Sequence, residues 1–427
     1  MKFVFADSMD YVDPKFDFIK DQTAPTRRPY WDDQYPHEVL GFAPYDGMLV
    51  SRAIVGDHRF PGKYTEAQAM RFRRVGARKF LRLDGPTHAD MMLMGDCGAF
   101  SYSAMEVPPY TPEDTVEFYA DGGFTHGCSI DHIIFEFDPS ASGDGGGSDL
   151  AHERFDITLD LADRFLRASR GLGEGFTPIG VVQGWSPDSM ARAAHSLLAM
   201  GYRYLAIGGL VPLKTEAIHK AVEAVDAVVR CKSDARMHLL GFAKADDIGQ
   251  FSRYRVASFD TTSPLIRAFK DARRNYYLRD GNRTISYYTA VRIPQAYENN
   301  ALLRQVKSGR LRQETLAHME SSALSALRDY SKGRLDLESV LDAVIDYAKP
   351  LHWSPREQEQ VLDRRMATLR KQYRQTLEAR PWERCRCSIC TNCGVEVIVY
   401  RGSNRNKRRG IHNLGVFRDH LRQQLAS

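Results

Sequence analysis

From Met1 to about Pro264, short apolar runs alternate with helix-patterned stretches, and few folds accept that order. The runs are MKFVFA, GMLVSRAIV, the pair KFLRL and MMLMG, DHIIFEF, PIGVVQG, YLAIGG, MHLLGF and RVASF. Several stay apolar throughout, the pattern of strands buried on both faces. The clearest helix between them is Pro187 to Met200, with Ser186 as its N-cap and Gly201 at its C-terminal end. Strand, helix, strand at this spacing means a parallel sheet. Eight or so such units in about 260 residues suit a closed (β/α)8 TIM barrel. The alternative is a doubly wound open sheet, but no GxGxxG follows the first strand.

Beyond the barrel the pattern changes. Asn275 to Arg292 reads as a hairpin turning at Asp280-Gly281. From about Asn299 to Arg380 the chain is helical and charged, and four cysteines (Cys385, Cys387, Cys390 and Cys393) follow within nine residues. The expected organisation is a barrel over 1–265, a hairpin and helical insertion over 266–380, and a metal-binding basic segment over 381–427. Within the barrel, the Gly/Ser-rich tract Pro139 to Asp149 is either a connector or a mobile lid over the strand ends.

Charge is unevenly spread. Ala301 to Ser427 hold 24 Lys+Arg against 14 Asp+Glu, and the first 300 residues hold 35 against 40. A cationic end suits docking on a polyanion; the plainer alternative is a solvated helical face. Hydrophobic residues are 43% and charged residues 26%, the balance of an ordinary soluble globular chain. No stretch approaches the roughly 18 apolar residues of a membrane span. The acidic start MKFVFADSMD is wrong for a secretory signal, so the expected location is cytoplasmic. There, a tight cysteine cluster is more often a metal site than a disulfide framework.

In a TIM barrel the chemistry sits where the strands end. The polar residues after the expected strands are Asp96, Asp138, Gln183, the pair Gly208-Gly209, and Asp260. Singly, each is a common turn former or helix cap. Together they crowd three carboxylates on one rim, a cost most readily explained by function. Two carboxylates suit glycosidic chemistry, one as nucleophile and one as proton carrier. A third acid, an amide and exposed glycine N–H groups suit the edge of a purine.

These motifs resemble those of the tRNA-guanine transglycosylases, a family of (β/α)8 barrels with a structural zinc. D-C-G-A-F-S at Asp96 resembles the family's D-S-G-G-F-Q, and G-V-V-Q-G at Gly180 its G-I-V-Q-G. Y-L-A-I-G-G-L at Tyr204 and H-L-L-G-F-A-K with A-S-F-D at Asp260 have counterparts too. Cys385-x-Cys387-x2-Cys390 followed by H-N-L at His412 resembles the zinc knuckle. The resemblance implies Asp260 as the nucleophile that attacks C1′ and Asp96 as the proton acceptor and donor. It implies Asp138, Gln183, Gly209 and Leu210 as readers of the base edge, with Phe100 and Leu240 sandwiching the ring. Zn2+ would sit on Cys385, Cys387, Cys390 and His412, leaving Cys393 and His420 as alternative ligands. Arg405, Lys407, Arg408 and Arg409, in the basic run beside the knuckle, are the expected phosphate contacts.

The departures point within the family. Asp260 is followed by T-T-S-P-L-I-R, a helical insertion of about 120 residues precedes the knuckle, and W-D-D-Q-Y-P-H-E stands at Trp31 to Glu38. These features resemble the DNA-guanine transglycosylase branch. That resemblance implies exchange of guanine in DNA for preQ0, 7-cyano-7-deazaguanine, as part of a modification and restriction system. The alternatives are exchange in tRNA, or a non-catalytic nucleic-acid-binding subunit. No Walker A motif occurs, so an ATPase that helps open the duplex would be a separate partner chain.

Overall fold

Eight parallel strands close into a barrel in chain order: β1 (Lys2–Ala6), β2 (Gly47–Ser51), β3 (Met92–Asp96), β4 (His126–Cys128), β5 (Thr177–Val182), β6 (Tyr204–Ile207), β7 (Arg236–Leu239) and β8 (Val256–Asp260). The computed structural model describes residues 1–143, 145–279, 281 and 284–425. β1 closes on β8 with Lys2 opposite Ser258 and Val4 opposite Asp260. Strand side chains alternate between faces, and one face fills the barrel with Val4, Leu49, Met92, Met94, Cys128, Ile179, Val181, Tyr204 and Ala206. Continuing that face by two residues leads to Asp96 after Met94, Gln183 after Val181 and Gly208 after Ala206. The rim groups are thus the last inward positions of strands whose lower positions make the core.

Helices between strands follow their sequence signals. In Pro187–Met200 the Ser186 hydroxyl accepts from the N–H of Ser189, and Pro187 opens the first turn. Two expected strands are absent. Lys79 and Phe80 end the helix Glu66–Phe80, and DHIIFEF is irregular backbone. Its apolarity serves packing over the strand ends, where Ile133, with Ile130 just before the segment, joins Cys97, Ala99, Tyr102 and Tyr110. The fourth strand lies just before it, in the short and barely apolar His126–Cys128. The Gly/Ser tract is tied down at Trp185, whose indole N–H donates to the Gly145 carbonyl (3.2 Å).

The chain forms two compact units. Met1–Met9 and Tyr45–Ser263 make the barrel unit; Asp10–Pro44 and residues 264–425 make the other. A boundary at 265 assigns residues 10–44 to the barrel, whereas they pack with the C-terminal part. The reason is a buried ion cluster: Arg401 reaches Asp21 (2.7 Å) and Glu320 (2.6 Å), Arg405 reaches Asp21 and Glu396, and Arg328 reaches Glu396 (2.8 Å). The second unit holds the hairpin Tyr276–Arg279 with Ile285–Tyr288, and the expected turn residue Asp280 lies outside the described residues. Helices Asn300–Lys307, Gln313–Ser331, Leu337–His352 and Glu359–Ala379 follow, and the tail is the helix Gly402–Leu425. Among the described residues no helix is long and apolar enough to cross a membrane.

Candidate active site and metal centre

At the barrel mouth, Asp96 lies in the electrostatic field of Asp260, and Asp131 in that of Asp96. Burial and the neighbouring Asp260 push Asp96 up to about 6, although the N–H groups of Gly98 and Cys97 and the Ser51 side chain pull it down. Burial and Asp96 push Asp131 up to about 7, against the hydrogen bond from Gln183. A carboxyl at about 6 exchanges protons readily in both directions near neutrality, as a group that first gives and then takes a proton requires. Gly98 N–H donates to Asp96 Oδ2 (2.9 Å). Only glycine fits there, with φ +84° and a Cβ that would fall 2.4 Å from Ser51 Oγ. Asp260 Oδ1 accepts from Gly241 N–H (2.7 Å) and from His238 Nε2 (3.0 Å).

The third carboxylate of the rim is Asp131, which corrects the expectation of Asp138. Asp138 is exposed and spent on Ser140, whose N–H and hydroxyl bind it at 2.8 and 2.6 Å. Asp131 is 1% exposed, and its Oδ2 accepts from Gln183 Nε2 (2.7 Å). Its Oδ1 is buried without a hydrogen-bond partner. A buried acceptor with a free lone pair beside an amide is what a donor on a ligand would satisfy. The most apolar run is not the strand: the strand ends at Cys128, which leaves Asp131 level with Gln183. Gln183 in turn requires Gly208, because a Cβ there would sit 2.4 Å from Nε2.

The remaining expected readers are placed as follows. Gly209 adopts φ +71° next to Gln183 Oε1 and the Ile134 carbonyl. Leu210 is buried, 1% exposed. Leu240 is half-buried against the barrel cluster. Phe100 is 53% exposed, its ring 5.9 Å from that of Phe135. His238 and Asp131 escaped sequence reasoning; the signal for His238 was its place two residues before Leu240, on the inward face.

In the second unit, Cys385, Cys387, Cys390 and His412 bring their ligand atoms within 4.8 Å of one another. The three sulfurs lie 3.7, 3.4 and 3.4 Å from His412 Nδ1. Metal–sulfur bonds of about 2.3 Å and a metal–nitrogen bond of about 2.0 Å in a tetrahedron give S···N edges of about 3.6 Å. His412 Nε2 meets the Tyr277 carbonyl (2.7 Å), which directs the Nδ1 lone pair inward. Tyr276 stacks on the imidazole (4.4 Å), and its hydroxyl lies 3.1 Å from Cys390 Sγ. Cys393 and His420 stand outside this group. The residues can hold a metal ion.

The basic run is not a phosphate-binding loop. It is the start of the helix Gly402–Leu425, and its arginines are buried. Arg405 is 1% exposed and bound to Asp21 and Glu396. Arg408 donates to the Asp13 carbonyl (2.7 Å) and Asn404 (2.9 Å). Arg409 donates to the carbonyls of Val397, Val399 and Ala268, and burial drops it to about 9. Lys407 is half-buried, 5.3 Å from the Tyr11 ring. This corrects the phosphate role expected of Arg405, Arg408 and Arg409: their donors are consumed inside the protein. Arg409→Ala is therefore expected to cost about 3 kcal/mol or more, since it strands several buried acceptors. Thermal denaturation checks this, and an unchanged melting temperature with a weaker salt dependence of polyanion binding would restore the surface role.

Comparisons with known proteins identify a relative of the whole chain and relatives of part of it. The chain is 42% identical over 428 residues to the DNA-guanine transglycosylase of Salmonella montevideo, covering 100% of this chain and 98% of that protein. It is 28% identical over 131 residues to the queuine tRNA-ribosyltransferase of Xanthomonas campestris pv. campestris (strain B100), covering 30% of this chain and 33% of that one. A relative of the same description in Xanthomonas oryzae pv. oryzae (strain PXO99A) matches at the same identity and length. No family model matches the chain.

Proposed function

Because the chain belongs to the family of the DNA-guanine transglycosylases, we propose that its barrel mouth exchanges guanine in DNA for the 7-deazaguanine base preQ0 through a glycosyl-aspartate. It is a glycosyltransferase. The observation that carries the reading is the set of three interacting carboxylates, Asp96, Asp131 and Asp260, beside Gln183 at one strand-end rim.

The residues divide the work by their environments. Asp260 attacks C1′ of a flipped deoxyguanosine as the C1′–N9 bond breaks. Asp96 in its acid form protonates the departing base. As a carboxylate it then takes the N9 proton of the incoming base, which attacks C1′ and restores Asp260, with net retention. Asp131 Oδ1, which no group of the protein satisfies, accepts from the N–H donors of the purine's pyrimidine ring. The Gln183 amide and the Gly209 backbone supply the remaining polar contacts, and Phe100 and Leu240 bracket the ring. The thiolate and imidazole set is suited to Zn2+, which contributes folding free energy and takes no part in the exchange. An ATP-driven partner chain and a restriction system complete the proposed setting, as duplex opening costs a few kcal/mol.

The test is mass spectrometry of nucleosides after incubation of the protein with preQ0 and either duplex DNA, single-stranded DNA or tRNA. Deoxynucleosides carrying 7-cyano-7-deazaguanine are expected from DNA only. Modification of tRNA alone would overturn the DNA assignment.

Asp131→Asn separates recognition from stability. The folded carboxyl lies at about 7, above its ordinary value of 3.8. The folded state therefore holds this proton more tightly than the unfolded chain. Its contribution is fully present below about pH 4 and is lost as pH rises through about 7. At pH 8 the buried charge costs up to about 4 kcal/mol. The asparagine side chain keeps an oxygen for Gln183 without the charge. The variant is expected to melt higher than wild type at pH 8, with the gain vanishing near pH 4, while its KM for the base rises at least tenfold. A melting difference independent of pH would refute the buried-charge account.

A further inference from the structure

Beneath the mouth, a hydrogen-bonded chain runs from Asp260 into the closed interior of the barrel. His238 Nε2 lies 3.0 Å from Asp260 Oδ1, and His238 Nδ1 lies 2.6 Å from Ser258 Oγ. Ser258 Oγ in turn meets Tyr204 Oη. His238 and Ser258 are wholly buried, and Tyr204 nearly so. They sit among Val4, Leu49, Met94, Ile179 and Val181, where polar groups are costly unless each is paired. His238 pairs with Ser258 across β7 and β8, next to a register shift between Met237 and His238. Such an irregularity re-aims a side chain.

The carboxylate sets the direction of every bond in this chain. A carboxylate only accepts, so Nε2 of His238 carries its hydrogen. Nδ1 is then the acceptor for the Ser258 hydroxyl, and Ser258 Oγ accepts from Tyr204. Burial holds the Tyr204 phenol above its ordinary value, so it keeps the proton that it donates. Both hydrogen bonds to Asp260, from His238 and from Gly241 N–H, fall on Oδ1. Oδ2 is left as the oxygen that can form a bond.

We propose that His238 is a positioning residue for Asp260, committing Oδ1 to hydrogen bonds so that Oδ2 attacks C1′, and drawing charge back onto the carboxylate when the covalent ester breaks. This rests on the reading of Asp260 as nucleophile. In the first half-reaction an Oδ2 electron pair forms the C1′–O bond, and the C1′–N9 pair leaves with the base, which takes a proton from Asp96. Oδ1 then becomes an ester carbonyl with less charge, and its bond from His238 weakens. In the second, the incoming base gives its N9 proton to Asp96 and bonds C1′, and the C1′–O pair returns to Asp260. The regenerated charge is met by the His238 and Gly241 donors. A donor on Oδ1 therefore favours carboxylate over ester and hastens breakdown of the intermediate.

The experiment uses the full chain, a deoxyguanosine-containing oligonucleotide and labelled guanine as incoming base. It follows turnover, the KM for guanine and the lifetime of the denaturation-resistant adduct in a chase. In His238→Leu the adduct is expected to persist about 10-fold longer or more, with turnover falling in parallel and KM little changed. His238→Gln, whose amide N–H can reach Oδ1, should recover much of the loss. Ser258→Ala, which removes the donor to Nδ1 and the acceptor of the Tyr204 hydroxyl, should fall between. Equal losses in His238→Leu and His238→Gln, or an unchanged adduct lifetime in both, would overturn the proposal. If His238→Leu does not fold, an unchanged adduct lifetime in Ser258→Ala overturns it. A wild-type protein that forms no adduct at all would instead bring down the nucleophile reading on which this rests.

Discussion

Asp260→Asn is expected to lower base exchange by about 10³-fold or more and to leave the fold intact. The amide is isosteric, and its oxygen can still accept from Gly241 N–H and His238 Nε2, the two bonds that hold Asp260 in place. What it loses is the anionic oxygen that attacks C1′. The effect is thus confined to chemistry, and melting should shift little. Removing one of the repelling carboxylates should also ease ionisation of Asp96, since Asp260 is one of the two causes that raise it. The decisive readout is covalent. Wild type with a guanine-containing oligonucleotide should give a species that survives denaturation and is cleaved to the peptide bearing Asp260; the variant should give none. Normal turnover by Asp260→Asn would remove it from the nucleophile role.

Loss of the metal is expected to be the largest single blow to stability. Four ligand atoms within 4.8 Å, three of them thiols, repel or crowd one another unless an ion draws them together. The site joins the segment at Cys385–Cys390 to the terminal helix through His412, and that helix carries the buried Arg405 and Arg409. Cys387→Ser should abolish stoichiometric zinc and destabilise the second unit by several kcal/mol. Metal analysis together with thermal denaturation measures both. Cys393→Ser is the control: Cys393 lies outside the cluster, so the variant should keep one zinc per chain. Full zinc in Cys387→Ser, or its loss in Cys393→Ser, would reassign the ligands.

The sequence by itself determined the barrel, because strands buried on both faces must be apolar and helices between them must show their caps. It also determined most of the rim: period-two alternation forces Asp96, Gln183 and Asp260 onto the side that Met94, Val181 and Ser258 face. The cysteine spacing with His412 specified the cluster of Cys385, Cys387, Cys390 and His412, a set that can hold a metal ion. Other features were decided only by the tertiary structure. The fourth strand is three residues long and hardly apolar, whereas the apolar DHIIFEF covers the strand ends, so hydrophobicity pointed to Asp138 and burial selected Asp131. His238's place two residues before Leu240 set it on the inward face, but its contact with Asp260 depends on a register irregularity and on a partner twenty-two residues away, which only the fold shows. The basic tail shows the general reason. Charge counts do not say which way a helix faces, and the partners of Arg401 and Arg405 include Asp21, almost four hundred residues earlier in the chain. One clue was present: Arg405, Arg408 and Arg409 stand seven, four and three residues before His412, on the helix face that His412 turns inward. Whether a cation meets solvent or a buried acid depends on that geometry, and composition carries no record of it.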